Sequence, residues 1–197
     1  TSVLVPEAGG WAIKSLDNAV ELEPTNAYLY WRLANNYILA KNYIKAIENF
    51  KKAIGLKTDY LAAYIGLARG YEANGEGDSA VDTYKKAEQA GGANNVEFLF
   101  DYGRVLYNRN KSVDRKDAER LWLAAVKLQP SYSNALYSLG LLYEANGDKT
   151  NALQYYYKVK DLNPDNSEIV AKINSVLGVF SRSTTATSTK STNEKKK

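Results

Sequence analysis

The residue types that most often carry catalysis are missing from this chain of 197 residues, which contains no cysteine and no histidine. It therefore lacks a thiol nucleophile, a disulfide framework, a thiolate or imidazole metal ligand and an imidazole general base. The remaining candidates for acid–base chemistry are 22 aspartates and glutamates, and no pair of them stands out along the chain. This pattern predicts a protein that is not an enzyme, with no catalytic residue, no bound metal and no cofactor.

One stretch has the glycine spacing of a phosphate-binding loop. Gly70 and Gly75 enclose four residues, as in the G-x-x-x-x-G-K-[ST] motif. Glu76 stands where that motif requires lysine, and its carboxylate would repel a phosphate. The letters YEANG at residues 71–75 also return at residues 143–147, so the stretch indicates a repeated structural part and not a nucleotide site.

The charge of the chain is unevenly distributed. The formal net charge of +4 belongs to residues 181–197, which carry five basic residues and one acid, while residues 1–180 hold 21 of each sign. A neutral body does not attract phosphate backbones, so no nucleic-acid partner is predicted.

No apolar run approaches the roughly 18 residues of a membrane span, so no direct membrane insertion is predicted for this segment. The Ser/Thr/Lys-rich tail at 181–197 is predicted to be disordered.

The two YEANG copies lie 72 residues apart, which is about twice the ~34-residue period of helix–turn–helix repeats. The copy at 61–95 shows the pattern clearly: Tyr64, Leu67, Ala68 and Tyr71 lie on one face of a first helix, and Ala80 and Tyr84 lie on a second. Aligning the small residues gives four such units. They span residues 27–60, 61–95, 96–132 and 133–166.

The sequence around these units predicts further elements. Residues 1–26 match only the second half of a unit, which favours a chain that begins inside a repeat, and residues 167–180 predict a capping helix. The polar segment 109–116 is predicted to form a protruding loop. The pair Gly91-Gly92 indicates either a hinge or a longer turn that packs normally.

The pattern of large, large, small and aromatic residues, followed by alanine and an aromatic, resembles the tetratricopeptide repeat family over residues 11–180. The resemblance implies an all-α fold, a right-handed α-solenoid of stacked antiparallel helix pairs. It also implies that the first helix of each pair lines a concave groove, and that the partner is a peptide or another protein.

The groove-facing positions of the four first helices can then be identified. Five of these sixteen positions are aromatic, against 12% of the whole chain, and aromatic and arginine side chains are typical of binding hot spots. The predicted ligand-binding residues are Tyr28, Trp31, Arg32, Asn35, Ile65, Arg69, Phe100, Arg104, Tyr107, Tyr137 and Leu141. Of these, Arg32 lies on the groove edge, outside the sixteen positions, and the other six groove-facing positions are Ile38, Ala62, Glu72, Glu97, Asn134 and Glu144.

Three alternatives remain open from the sequence. Arg69 and Arg104 form either a ladder for a ligand carboxylate or ion pairs with neighbouring acids. The aromatic residues either line the groove for a ligand or, for some of them, pack between neighbouring first helices. The chain is either a scaffold that acts on its own or the extracytoplasmic part of a membrane-anchored bacterial protein for envelope or polysaccharide assembly. Both a cytoplasmic and an extracytoplasmic location fit the sequence.

Overall fold

A computed structural model of the chain describes residues 5–109 and 112–178. Within these ranges the backbone forms ten α-helices and a 3₁₀ turn at Gly92–Asn94, and no strand. The helices are α1 (Val5–Leu22), α2 (Ala27–Leu39), α3 (Tyr43–Leu56), α4 (Leu61–Ala73), α5 (Gly77–Gln89), α6 (Val96–Asn108), α7 (Ser112–Leu128), α8 (Ser133–Ala145), α9 (Lys149–Leu162) and α10 (Ser167–Leu177). None of the described helices is both long and apolar enough to cross a lipid bilayer.

The lengths of the connections make successive helices antiparallel. Three residues separate the two helices of each pair, α2/α3, α4/α5, α6/α7 and α8/α9, and four residues separate most neighbouring pairs. Connections this short bring consecutive helices back alongside each other. Each pair packs on the next, α1 packs on α2, and α10 packs on α9. The predicted all-α solenoid is therefore confirmed.

The helices of a pair approach closely because a small residue faces an aromatic ring. A Cβ atom placed on Gly140 of α8 would lie 2.3 Å from Cε1 of Tyr156 on α9. A Cβ atom on Gly103 of α6 would lie 2.5 Å from Nε1 of Trp122 on α7. Both rings are buried. The small residue that recurs in the sequence is therefore the one that admits the ring of the paired helix.

The YEANG sequences end α4 and α8. Gly75 and Gly147 have φ angles of 83° and 78°, a left-handed conformation that glycine adopts without strain. The next amide, that of Glu76 or Asp148, donates to the carbonyl of the YEANG tyrosine at 2.8 and 2.9 Å. This bond spans six residues and closes the helix end as a Schellman motif. Lys41 fills the equivalent place after α2 with a φ angle of 57°.

The irregular segments differ from their predictions in part. The prediction of a protruding loop at 109–116 is wrong for residues 112–116, which form the first turns of α7. The extra residues of this unit therefore lengthen α7. Just before α7, Arg109 forms an ion pair with Asp78 at 2.8 Å. Gly91 and Gly92 lie in a six-residue connection between α5 and α6, and Gly92 is buried against the ring of Phe98. The packed turn, one of the two alternatives, describes this connection. The predicted disorder at 181–197 lies outside the described residues.

The contact between Gly140 and Tyr156 predicts a stability difference between two Gly→Ala substitutions. Gly140→Ala should cost about 1–3 kcal/mol, because the buried ring cannot move away from a new methyl group. Gly55→Ala is the matched control, since Gly55 lies in α3 with no atom within 4 Å of the new Cβ. It should stabilise the chain by about 0.5–1 kcal/mol through helix propensity. Urea unfolding of both variants measures the difference, and equal stability would contradict the packing described here.

Candidate ligand-binding groove

The predicted site residues all lie on the first helices of the four pairs, α2, α4, α6 and α8. Side-chain caps begin two of these helices at defined residues. The Oδ1 atom of Asn26 accepts from the Tyr28 amide at 3.1 Å, and that of Asn95 accepts from the Phe98 amide at 2.8 Å. Among these helices α2 contacts α4, and α6 contacts α8, while the ion pairs Arg69–Asp101 and Arg104–Glu72 join α4 to α6. The row of first helices therefore forms a continuous wall.

A cleft of about 260 Å³ opens at the N-terminal part of this wall. Four predicted residues meet there: Trp31, Asn35, Ile65 and Arg69. Three further groove-facing positions and two residues outside the predicted row complete the lining. These five are Ile38, Ala62, Glu97, Phe50 and Gly66.

Phe50 is the cleft residue that the sequence analysis missed, because it belongs to the second helix α3. Its ring reaches the cleft beside Gly66, where a Cβ atom would lie 2.3 Å from Cε1 of Phe50. A glycine inside a helix lowers helix stability, so it often marks a close approach of another group. Gly66 was therefore the signal in the sequence for this contact.

Trp31 is held in a defined orientation at the cleft. Its indole Nε1 donates to the carbonyl of Ala62 at 3.3 Å, which links α2 to α4. Its ring stacks on Tyr28 at 5.6 Å between centroids, and the Tyr60 ring lies 6.2 Å away. Asn35 donates its amide to the carbonyl of Trp31 at 2.7 Å, which leaves its side-chain oxygen available as an acceptor. The aromatic wall is therefore preorganised.

An ion-pair network joins α4 to α6 at the edge of the cleft. Arg69 donates to Glu97 at 2.6 Å and, through Nε, to Asp101 at 2.8 Å. Arg104 holds both carboxylate oxygens of Glu72, at 2.6 and 2.7 Å. Asp101 also lies 3.7 Å from Arg104, and its side chain is only 7% exposed. Three acids and two arginines leave this network with one excess negative charge.

The network also shifts the pKa values of its arginines. Burial disfavours the charge on Arg69, but hydrogen bonds to Glu97 and Asp101 outweigh burial and raise its pKa. Hydrogen bonds to Glu72 raise the pKa of Arg104. Of the two alternatives for these arginines, the structure has the ion pairs with neighbouring acids. A ligand carboxylate at this edge would meet three carboxylates.

The other predicted residues lie along the wall without lining this cleft. Phe100 packs edge-on against Tyr132 at 5.7 Å, and Tyr107 lies 5.5 Å from Trp122. Tyr137 is 39% exposed and lies 5.7 Å from the ring of Tyr156, and Leu141 is partly buried. At the opposite end, the guanidinium of Arg32 lies 5.8 Å from the Tyr28 centroid. Part of the aromatic enrichment therefore reflects packing between neighbouring helices.

Known proteins share sequence similarity with this chain. Models of the tetratricopeptide repeat family match residues 27–60 and 112–167. Photosystem I assembly protein Ycf3 of Synechococcus sp. (strain CC9902) is 30% identical over 135 residues, covering 58% of this chain and 76% of that protein. Anaphase-promoting complex subunit 3 of Schizosaccharomyces pombe is 27% identical over 158 residues, covering 80% of this chain. This chain spans 23% of the length of that relative.

Solved structures share the fold. The crystal structure of MamA superposes with a TM-score of 0.70 at 21% identity, covering 79% of this chain and 89% of MamA. PilW, described as a widely conserved type IV pilus biogenesis factor, superposes with a TM-score of 0.74 at 18% identity. That match covers 88% of this chain and 80% of PilW. At these identities the comparison concerns the fold alone.

The central place of Asp101 in the network predicts that its removal is costly. Asp101→Asn should destabilise the chain by about 1–3 kcal/mol, because two arginines lose a buried partner. Glu97→Gln is the matched control, since Glu97 also pairs with Arg69 but is 59% exposed. It should cost less than about 1 kcal/mol. Urea unfolding compares the two, and an equal loss would show that the network is not organised around Asp101.

Proposed function

The chain belongs to the tetratricopeptide repeat family, and on that premise we propose that it is a non-catalytic scaffold that binds a peptide or protein segment in its concave groove. Proteins of this family generally mediate protein–protein interactions. The observation that carries the proposal is the cleft at Trp31, where aromatic, apolar and polar side chains converge on a space of about 260 Å³. Concave, mostly apolar sites with few polar groups are typical of ligand binding.

The cleft is suited to one large side chain of the partner. Trp31 offers a ring face whose orientation is already fixed by Ala62 and Tyr28, and Ile38 and Ala62 supply accessible apolar surface. Preorganisation lowers the entropy lost on binding, so such a wall favours affinity. The free oxygen of Asn35 can accept a backbone amide of the bound segment. We therefore assign the main anchor of the segment to this cleft.

The charges at the edge of the cleft define the neighbouring residues of the segment. Arg69 and Arg104 already form ion pairs with acidic side chains, and the network carries an excess negative charge. A neutral or basic residue beside the anchor is therefore favoured over an acidic one, because Glu97 is exposed there. In this proposal the arginines position the acids and brace α4 against α6, instead of binding a carboxylate.

The segment would continue along the wall in both directions. At one end, Tyr28 and Arg32 of α2 extend the binding surface. At the other end, the binding surface continues over α6 and α8. The proposed contacts there are Phe100, Arg104, Tyr107, Tyr137 and Leu141. A bound segment that crosses four helices makes contacts with residues that do not repeat between units, which gives the groove its own specificity.

The proposal predicts that Trp31 contributes much more to binding than to folding. Peptides selected on the intact chain from a random library would be titrated against variants by fluorescence polarisation. Trp31→Ala combined with Phe100→Ala should weaken binding by roughly 30-fold or more, as expected for an aromatic hot spot. Trp11→Ala is the matched control, since Trp11 is 71% exposed on α1, outside the groove. Unchanged affinity in the folded double variant would place the binding site elsewhere.

A further inference from the structure

A second cleft lies on the opposite side of α4 from the concave groove. It has a volume of about 230 Å³, and residues of α3, α4 and α5 form its walls. Ile65 lines the groove cleft and Leu67 lines this one. Two residues turn a helix by about 200°, so the two clefts face away from each other. The floor is apolar and aromatic, with Ile54, Tyr64, Leu67 and Tyr71.

Two lysines stand at this cleft, and each comes from a different second helix. Lys51 on α3 places Nζ 5.4 Å from the centroid of the Tyr71 ring, which holds the ammonium group over the aromatic floor. Lys86 on α5 lines the same cleft. Both residues are exposed, and within the described ranges neither ammonium group forms an ion pair with a carboxylate. The cleft therefore combines an apolar floor with two uncompensated positive charges.

From this combination we propose that the second cleft binds an acidic segment of a partner protein, in which an apolar or aromatic side chain is flanked by carboxylates. The apolar side chain packs on the partly exposed Ile54, Tyr64 and Tyr71, and the flanking carboxylates pair with Lys51 and Lys86. Charge complementarity selects this partner, because a basic segment would be repelled by both lysines.

The arrangement of the lysines favours a peptide segment over a small anionic molecule. Helices α3 and α5 both pack against α4, which contributes most of the apolar floor between them. Two charges on separate helices match two carboxylates that are separated by an apolar side chain. A ligand with a single carboxylate, such as a fatty acid, would leave one lysine without a partner.

Thr83 supplies the remaining polar group of the cleft. Its hydroxyl donates to the carbonyl of Ser79 at 2.7 Å, so towards a ligand it acts as an acceptor. A backbone amide of the bound segment provides the matching donor. This binding site is independent of the concave groove, since none of its lining residues belongs to the groove cleft.

A defined peptide tests the proposal with the full chain. A fluorescein-labelled Asp-Glu-Phe-Asp-Glu peptide should bind saturably, and its affinity should fall as salt rises from about 50 to about 300 mM. Lys51→Gln combined with Lys86→Gln should weaken binding roughly ten-fold, as expected for the loss of two surface ion pairs. Replacement of the peptide carboxylates by amides, or of its phenylalanine by alanine, should weaken binding by a similar factor.

The neighbouring lysines give a control with the same change in net charge. Lys52, over the Tyr30 ring, and Lys85, paired with Asp82, lie one residue away on the same helices and do not line the cleft. Lys52→Gln combined with Lys85→Gln should change the affinity by less than about two-fold. An equal loss in this control, equal binding of the amide peptide, or no saturable binding would overturn the proposal. So would a loss caused by Trp31→Ala, which would place the peptide in the concave groove.

Discussion

The close contact between a small residue and an aromatic ring is the constraint on which the rest of this structure depends. Where Gly103 meets Trp122 and Gly140 meets Tyr156, the first helix of the pair has no side chain that could hold the second helix away. In these two pairs the side of the first helix that faces the ring is thereby committed to packing. The other side of these helices faces the solvent, and contacts between α2 and α4 and between α6 and α8, with the ion pairs between α4 and α6, align the first helices into a wall. The groove therefore depends on the close packing of the two helices within a pair.

The same constraint explains how much could be predicted from the sequence. Helix pairs, core residues and the turns at Gly75 and Gly147 follow from local periodicity and glycine chemistry, which act within one unit. The partners of Arg69 and Arg104 lie some thirty residues away, on another unit. Their pairing depends on how neighbouring units stack and on side-chain rotamers, which a sequence pattern does not contain. Phe50 was missed for a related reason, since its ring crosses from a second helix through the space that Gly66 leaves open.

Helix α4 has a special position in this array. Its residues at positions 62, 65, 66 and 69 line one cleft, and those at 64, 67 and 71 line the other. One cleft is bordered by an acidic network and the other by two lysines, so their electrostatic preferences are opposite. A single helix thus separates the two proposed binding surfaces, which share no lining residue.

The six-residue connection between α5 and α6 has a consequence for the mechanics of the solenoid. Elsewhere the pairs follow each other after four residues, so their packing leaves little freedom. At this longer connection Tyr84 stacks on Tyr102 at 5.2 Å on the core side, while the pairs from Arg69 and Arg104 bridge α4 and α6 on the groove side. Bending at the junction must therefore separate charges as well as slide rings. The midpoint of the solenoid is therefore held in part by ion pairs, and salt in the solvent screens the exposed Arg69–Glu97 pair more than the pair with buried Asp101.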